Sequence, residues 1–121
     1  MAELTIKLDS LPPVEFSPNS RVHWRTRHQA GIYAKNDVIA LVLDQGWQGP
    51  ALSGAVVTIT WGLPTKRTVD WDNLVARSKP WLDALVDAGV LAGDSVRDYT
   101  PEYGWFQSPG KPVTIITVRE A

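Results

Sequence analysis

Three aspartates carry the most specific chemistry this sequence offers. Asp70 and Asp72 stand two apart in Lys66-Arg67-Thr68-Val69-Asp70-Trp71-Asp72-Asn73-Leu74, where an apolar, alternating run gives way to a helical pattern. Asp94 follows in Gly89-Val90-Leu91-Ala92-Gly93-Asp94-Ser95. Residues two apart at a strand end leave on the same side, so both carboxylates can enter one pocket, and Asp94, after the next helix, can return to it. Two or three carboxylates, completed by water and a substrate phosphate, form the hard oxygen shell that holds Mg²⁺ or Mn²⁺. Lys66 and Arg67 would then face the phosphate. The plainer alternative makes Asp70 or Asp72 a helix cap and Asn73 a turn residue. Trp71 and Trp81 read as core.

A second group of cations lies upstream. No acidic residue occurs from Phe16 to Asn36, while Arg21, Arg25, Arg27, Lys35, His23 and His28 do. Taken alone, such a run is most often a solvated loop. Arginines beside a tryptophan also suit phosphate contacts and base stacking, which makes Arg21, Arg25 and Arg27 candidate DNA ligands beside Lys66 and Arg67.

The elements that must position these groups follow from periodicity. Leu4, Ile6 and Leu8 alternate with polar residues and predict a half-buried strand, closed by Ser10-Leu11-Pro12-Pro13. The basic segment is expected to precede the first helix, which helical spacing places from about residue 29 to 45, with Gly46 as its stop. Residues 55–61 give the clearest strand. A second helix is expected from about residue 72 to 88, with Gly89 as its stop; Pro80 predicts a kink or a fresh start capped by Ser78. Residues 96–103, broken by Pro101, and 113–118 are expected to form a closing strand pair.

Global properties narrow the field. With 121 residues, 44% of them hydrophobic, the chain suits one domain over residues 1–121. The net charge of −1 announces no nucleic-acid partner by itself, yet setting the three aspartates aside leaves a slightly basic remainder. The absence of cysteine excludes disulfides, zinc thiolates and a cysteine nucleophile. No run approaches the length of a membrane span and the N-terminus lacks a leader pattern, so a soluble, cytoplasmic protein is expected.

The ordered residues resemble one family, the RusA-like Holliday junction resolvases, small endodeoxyribonucleases common in bacteriophages and prophages. The likeness runs from the N-terminal strand and proline-rich turn through Asn19-Ser20-Arg21 and the basic segment. It continues with Asp70-x-Asp72-Asn73-Leu74, Lys79-x-x-x-Asp83-x-Leu85, Gly89-Val90-Leu91 and Asp94. The resemblance implies an α+β fold: a single two-layer domain with a mixed sheet of about four strands and two main helices. It further implies a homodimer and Mg²⁺-dependent cleavage of four-way DNA junctions in recombination, repair or phage DNA processing. Asp70, Asp72 and Asp94 match the acidic active-site positions and Lys79 the catalytic lysine, with Asp83 able to support Lys79 at i+4.

The chain departs from the pattern twice. Gly93 stands where the family usually has the first of two paired aspartates, and three extra residues separate Leu74 from Lys79. On a continuous helix, positions four and seven after Asp72 fall about 40° past one turn and about 20° short of two, so Lys79 keeps the face. Arg77 is the substitute for Lys79 and a further DNA contact. Two other readings stay open: a non-catalytic DNA-binding or assembly module on the same fold, and a nuclease for flaps or forks.

Overall fold

The structure is a computed structural model and describes residues 2–121. Strand β1 (Glu3–Leu8) leads through a single 3-10 turn (Val14–Phe16) to helix α1 (Trp24–Asp44), strand β2 (Ala55–Leu63), helices α2 (Trp71–Arg77) and α3 (Lys79–Asp87), then strands β3 (Tyr99–Gln107) and β4 (Val113–Arg119). The sheet order is β1-β4-β2-β3. β4 runs antiparallel to both its neighbours, and β2 and β3 run parallel. This is an α+β architecture with a mixed sheet of four strands, as the sequence led us to expect. Among the described residues no helix is long and apolar enough to cross a membrane.

Alternation decides which side of the sheet meets the helices. Leu4, Ile6 and Leu8 pair in register with Val118, Ile116 and Thr114, which pair in turn with Val57, Ile59 and Trp61. All of these are buried on one face and join Val38, Val42, Leu74, Trp81 and Leu85 from the helices in a single core. The opposite face is largely polar. There Thr5 and Thr117 hydroxyls meet at 3.4 Å, and the Thr58 hydroxyl donates to Glu102 at 3.1 Å.

The tail differs from expectation. β3 starts at Tyr99, not Val96, and Pro101 lies inside it. An edge strand tolerates a proline because only one of its sides must be paired. β3 and β4 are not a pair: β2 lies between them, because β3 returns parallel to β2 after α2 and α3. Such a crossover is the connection that parallel neighbours require.

The helices also differ at their starts. α1 begins at Trp24, about five residues earlier than the apolar spacing indicated, because His23 occupies its N-cap and Nδ1 accepts the Arg25 N–H at 3.1 Å. Its first turn holds cations and no acid, the reverse of what a helix dipole favours, which hid the start. The expected second helix is two. α2 ends at Arg77 and α3 opens at Lys79 with Pro80 in its first turn. Ser78 stands between them, but its hydroxyl donates back to the Leu74 carbonyl at 2.8 Å and does not cap α3. Gly46 and Gly89, both at positive φ, follow the ends of α1 and α3.

Candidate active site

Residues 64–70 connect β2 to α2 and carry the first part of the site. The Gln107 side-chain amide donates to the carbonyls of Leu63 at 2.7 Å and Thr65 at 3.0 Å, and the Arg67 N–H donates to Thr65 Oγ at 3.3 Å. The loop is thereby tied to the last residue of β3. Lys66 and Arg67 are exposed, and among the described residues neither takes part in an ion pair.

Asp70 sits at the α2 N-cap with extended backbone, and its carbonyl accepts the Leu74 N–H at 3.2 Å. Its side chain makes no capping hydrogen bond, so the carboxylate is exposed and uncommitted. Asp72 lies in the first turn, where Oδ1 accepts the Asn73 N–H at 3.1 Å. The two aspartates thus belong to a helix start, well past the end of β2, and the period-two argument for their sharing a side does not apply. Asn73 is not a turn residue. Its amide donates to Ser17 Oγ at 2.7 Å and its carbonyl oxygen accepts from Arg77 at 3.4 Å, fastening α2 to the segment after the 3-10 turn.

The second part of the site centres on Lys79, at the α3 start. Its ammonium donates to Asp94 Oδ2 and to Asp83 Oδ1, both at 2.7 Å. These bonds raise the lysine pKa well above the usual range, so the group is a permanent cation. The bond from Lys79, and the charge behind it, hold the Asp94 carboxyl below its ordinary value. Tyr99 lies within reach of this cluster: burial raises its pKa first, with Tyr103, Asp94 and Asp83 adding and Lys79 opposing. The i+4 support from Asp83 is present as the sequence suggested. The helical phase argument for Lys79 is replaced, since the chain breaks at Ser78 and Lys79 starts a new helix.

The expectation that Arg77 contacts DNA or replaces Lys79 is corrected. Its guanidinium points inward and donates to the Pro12 carbonyl from Nε at 3.0 Å and from Nη2 at 2.6 Å. The residue is 8% exposed, and burial lowers its pKa while Glu15 opposes the shift. It fastens the proline-rich turn to α2. Arg21, Arg25 and Arg27 are exposed, the last two on the first two turns of α1, not in a loop. Arg25 packs over Trp24 at 5.4 Å and Arg27 over Phe16 at 4.5 Å.

The acids fall into two places: Asp70 and Asp72 at the α2 start, and Asp94 with Lys79 and Asp83 at the α3 start. Among the described residues, no three His, Cys, Asp or Glu side chains are gathered as a metal site would require. The donor chemistry nevertheless suits a hard cation. Asp70 and Asp72 are exposed and, among the described residues, take part in no ion pair, and the Asp94 side chain is 53% exposed.

Several contributors were missed in the sequence. Trp81 is core at 2% exposure, but Trp71, also read as core, is 51% exposed. Tyr103 and Trp105 are 38% and 57% exposed on the helix side of β3. The alternation of Tyr99, Tyr103 and Trp105 was the available signal, obscured by Pro101. Asp98 was also missed. Its Oδ2 accepts from the Ser95 N–H at 3.0 Å and the Ser95 hydroxyl at 2.8 Å, and it fills the space a side chain at Gly93 would need.

A scan against models of known protein families finds no match. The chain is similar to an uncharacterized protein of Xylella fastidiosa (strain Temecula1 / ATCC 700964), 35% identical over 80 residues. The aligned part is 64% of this chain and 52% of that protein, so the match spans about half of the relative's length.

Proposed function

We propose that this chain is a divalent-metal-dependent endodeoxyribonuclease of the RusA-like kind that cuts branched DNA, four-way junctions foremost, as a cytoplasmic homodimer. The observation that carries the reading is the Lys79–Asp94 ion pair. It joins a residue at the start of α3 to one in the loop before β3, the two that the motif order assigns to charge neutralisation and metal binding. Asp70, Asp72 and Asp94 would hold Mg²⁺ or Mn²⁺. Once bound, such an ion activates a water and polarises the phosphoryl oxygens.

The chain's own residues do the rest. Lys79, kept protonated by two carboxylates, serves as a fixed positive charge and not as a base, and offsets negative charge developing on the phosphate. Arg21, Arg25, Arg27, Lys66 and Arg67 bind the backbone without reading sequence. A dimer would meet the approximate two-fold symmetry of a four-way junction with one site per cut.

The test is cleavage of a synthetic four-way junction with and without Mg²⁺, beside linear duplex and flap controls. Paired, Mg²⁺-dependent cuts in the junction are expected. One observation favours a second reading, a non-catalytic junction-binding module: Asp94 is engaged by Lys79 and apart from Asp70 and Asp72. Retained binding without cleavage in the same assay would favour that module.

A further inference from the structure

The β2–α2 loop, α2 and the end of β3 border an open pocket of about 260 Å³ whose aromatic wall the chemistry above does not use. Trp71 and Trp105 line it, with Lys66, Arg67 and Gln107. Both indoles are more than half exposed although each sits on a rigid element, Trp71 as the first residue of α2 and Trp105 within β3. Behind them Trp61, fully buried, stacks on Tyr103 at 5.5 Å and 20° and lies 6.1 Å from Trp71. The aromatic wall is therefore backed by core packing. The rim is also held, since Gln107 bonds the two carbonyls just before Lys66 and Arg67.

We infer that this pocket takes one unpaired nucleobase of a DNA strand, stacked on Trp71 and Trp105, with the adjoining phosphate on Lys66 and Arg67. Size and charge argue for this occupant. The volume is below the roughly 300–1,000 Å³ of ordinary small-molecule sites, so it suits one planar ring system and not an extended ligand. No acidic side chain lines it, and its two cations are unpaired among the described residues, leaving a positive rim on an aromatic floor. That combination is how proteins hold single strands: backbone charge meets cations, and π faces meet indoles. Because Trp71 lies between Asp70 and Asp72, a base held there brings its own backbone beside those carboxylates. The inference deepens the nuclease reading and rests on it for the choice of DNA: the enzyme would prefer branch points with an unstacked base over fully paired duplex.

The test measures binding in EDTA, so its outcome is independent of whether the chain cuts. The probe is a fluorescein-labelled oligo(dT) 12-mer, followed by anisotropy at fixed salt, beside an abasic oligomer of equal charge and a duplex. Trp105→Ala is expected to weaken oligo(dT) binding about tenfold or more, the scale of losing one base–aromatic stack. Binding to the abasic oligomer and the duplex should not change, and Trp105→Phe should restore most of the affinity. Equal losses on oligo(dT) and the abasic oligomer, or no loss on either, would overturn the stacking pocket. Tighter binding of oligo(U) RNA than of oligo(dT) would overturn the assignment to DNA. Lys66→Ala with Arg67→Ala should flatten the salt dependence for both single strands, and an unchanged slope would remove the phosphate from the rim.

Discussion

The Lys79 ammonium holds the Asp94 carboxyl below its ordinary value, and the consequence is measurable at the level of one proton. Lys79→Met should let the Asp94 carboxyl return upward toward its ordinary value, read by carbon-detected NMR titration; an unmoved Asp94 would show that the lysine is not its cause. The sign for stability follows. A carboxyl depressed in the folded state stabilises it above the unfolded pKa near 4, and that contribution is lost as pH falls through the folded value. The side chains are exposed, so the effect on the acid arm of the stability profile should be small. For the proposed catalysis, Asp94→Asn should suppress junction cleavage by orders of magnitude, because the amide keeps the shape and loses the charge that holds an ion. Junction affinity measured in Ca²⁺ should stay level or rise, since one negative charge near the phosphates is gone. Full cleavage by this variant would remove Asp94 from the ligands.

At the scale of elements, two side chains decide how α2 and α3 are seated. Arg77 ties α2 to the Pro12 carbonyl with two hydrogen bonds and meets Asn73 with a third. Arg77→Met should destabilise the fold by about 2–3 kcal/mol, since it removes charged hydrogen bonds and leaves a buried carbonyl unpaired. Urea unfolding measures this, and a loss under about 0.5 kcal/mol, typical of surface substitutions, would contradict it. Gly93 is set by its neighbour. A Cβ there meets the Asp98 carboxylate that Ser95 holds with two hydrogen bonds. Gly93→Ala should therefore cost about 1–3 kcal/mol, the usual scale of overpacking, and cost much less when Asp98→Ala is already present. Equal costs in both backgrounds would rule out the contact as the cause. The same crowding gives a structural reason for glycine at this position.

At the scale of the whole molecule, the proposed substrate demands symmetry. A four-way junction cut at two related positions is met most simply by two copies of the chain, each with one site. Light scattering at micromolar concentration should give twice the chain mass of 13.4 kDa. A monomer at that concentration would detach the dimer from the proposal. The open polar face of the sheet and the first turns of α1, where Trp24 is 66% exposed, lie outside the core. They give such an assembly surface to use without disturbing the packing.

Much of the fold was written locally. The alternation in β1 and β2 sorts side chains to two faces wherever each strand is placed, and the spacing Ala34, Val38, Leu41, Val42 marks one side of a helix. The apolar residues these patterns pick out are core in the structure except Leu41, which is partly buried against it. Hydrogen bonding between distant segments decided the rest. Nothing near Tyr99 states that β3 will lie beside β2 and not β4, yet that pairing sets Tyr103 and Trp105 on the helix side of an uncovered edge. Arg77 reads as a surface cation until the Pro12 carbonyl, 65 residues away in sequence, is brought to it. The sequence could name Lys79 and Asp94 as members of a motif. Their direct contact is made between the first residue of α3 and the loop before β3, fifteen positions apart in sequence. Periodicity reports how each segment is divided between core and solvent, because burial repeats with the backbone. Which charge meets which carbonyl or carboxylate is a property of the packed chain, and only the tertiary structure decided it.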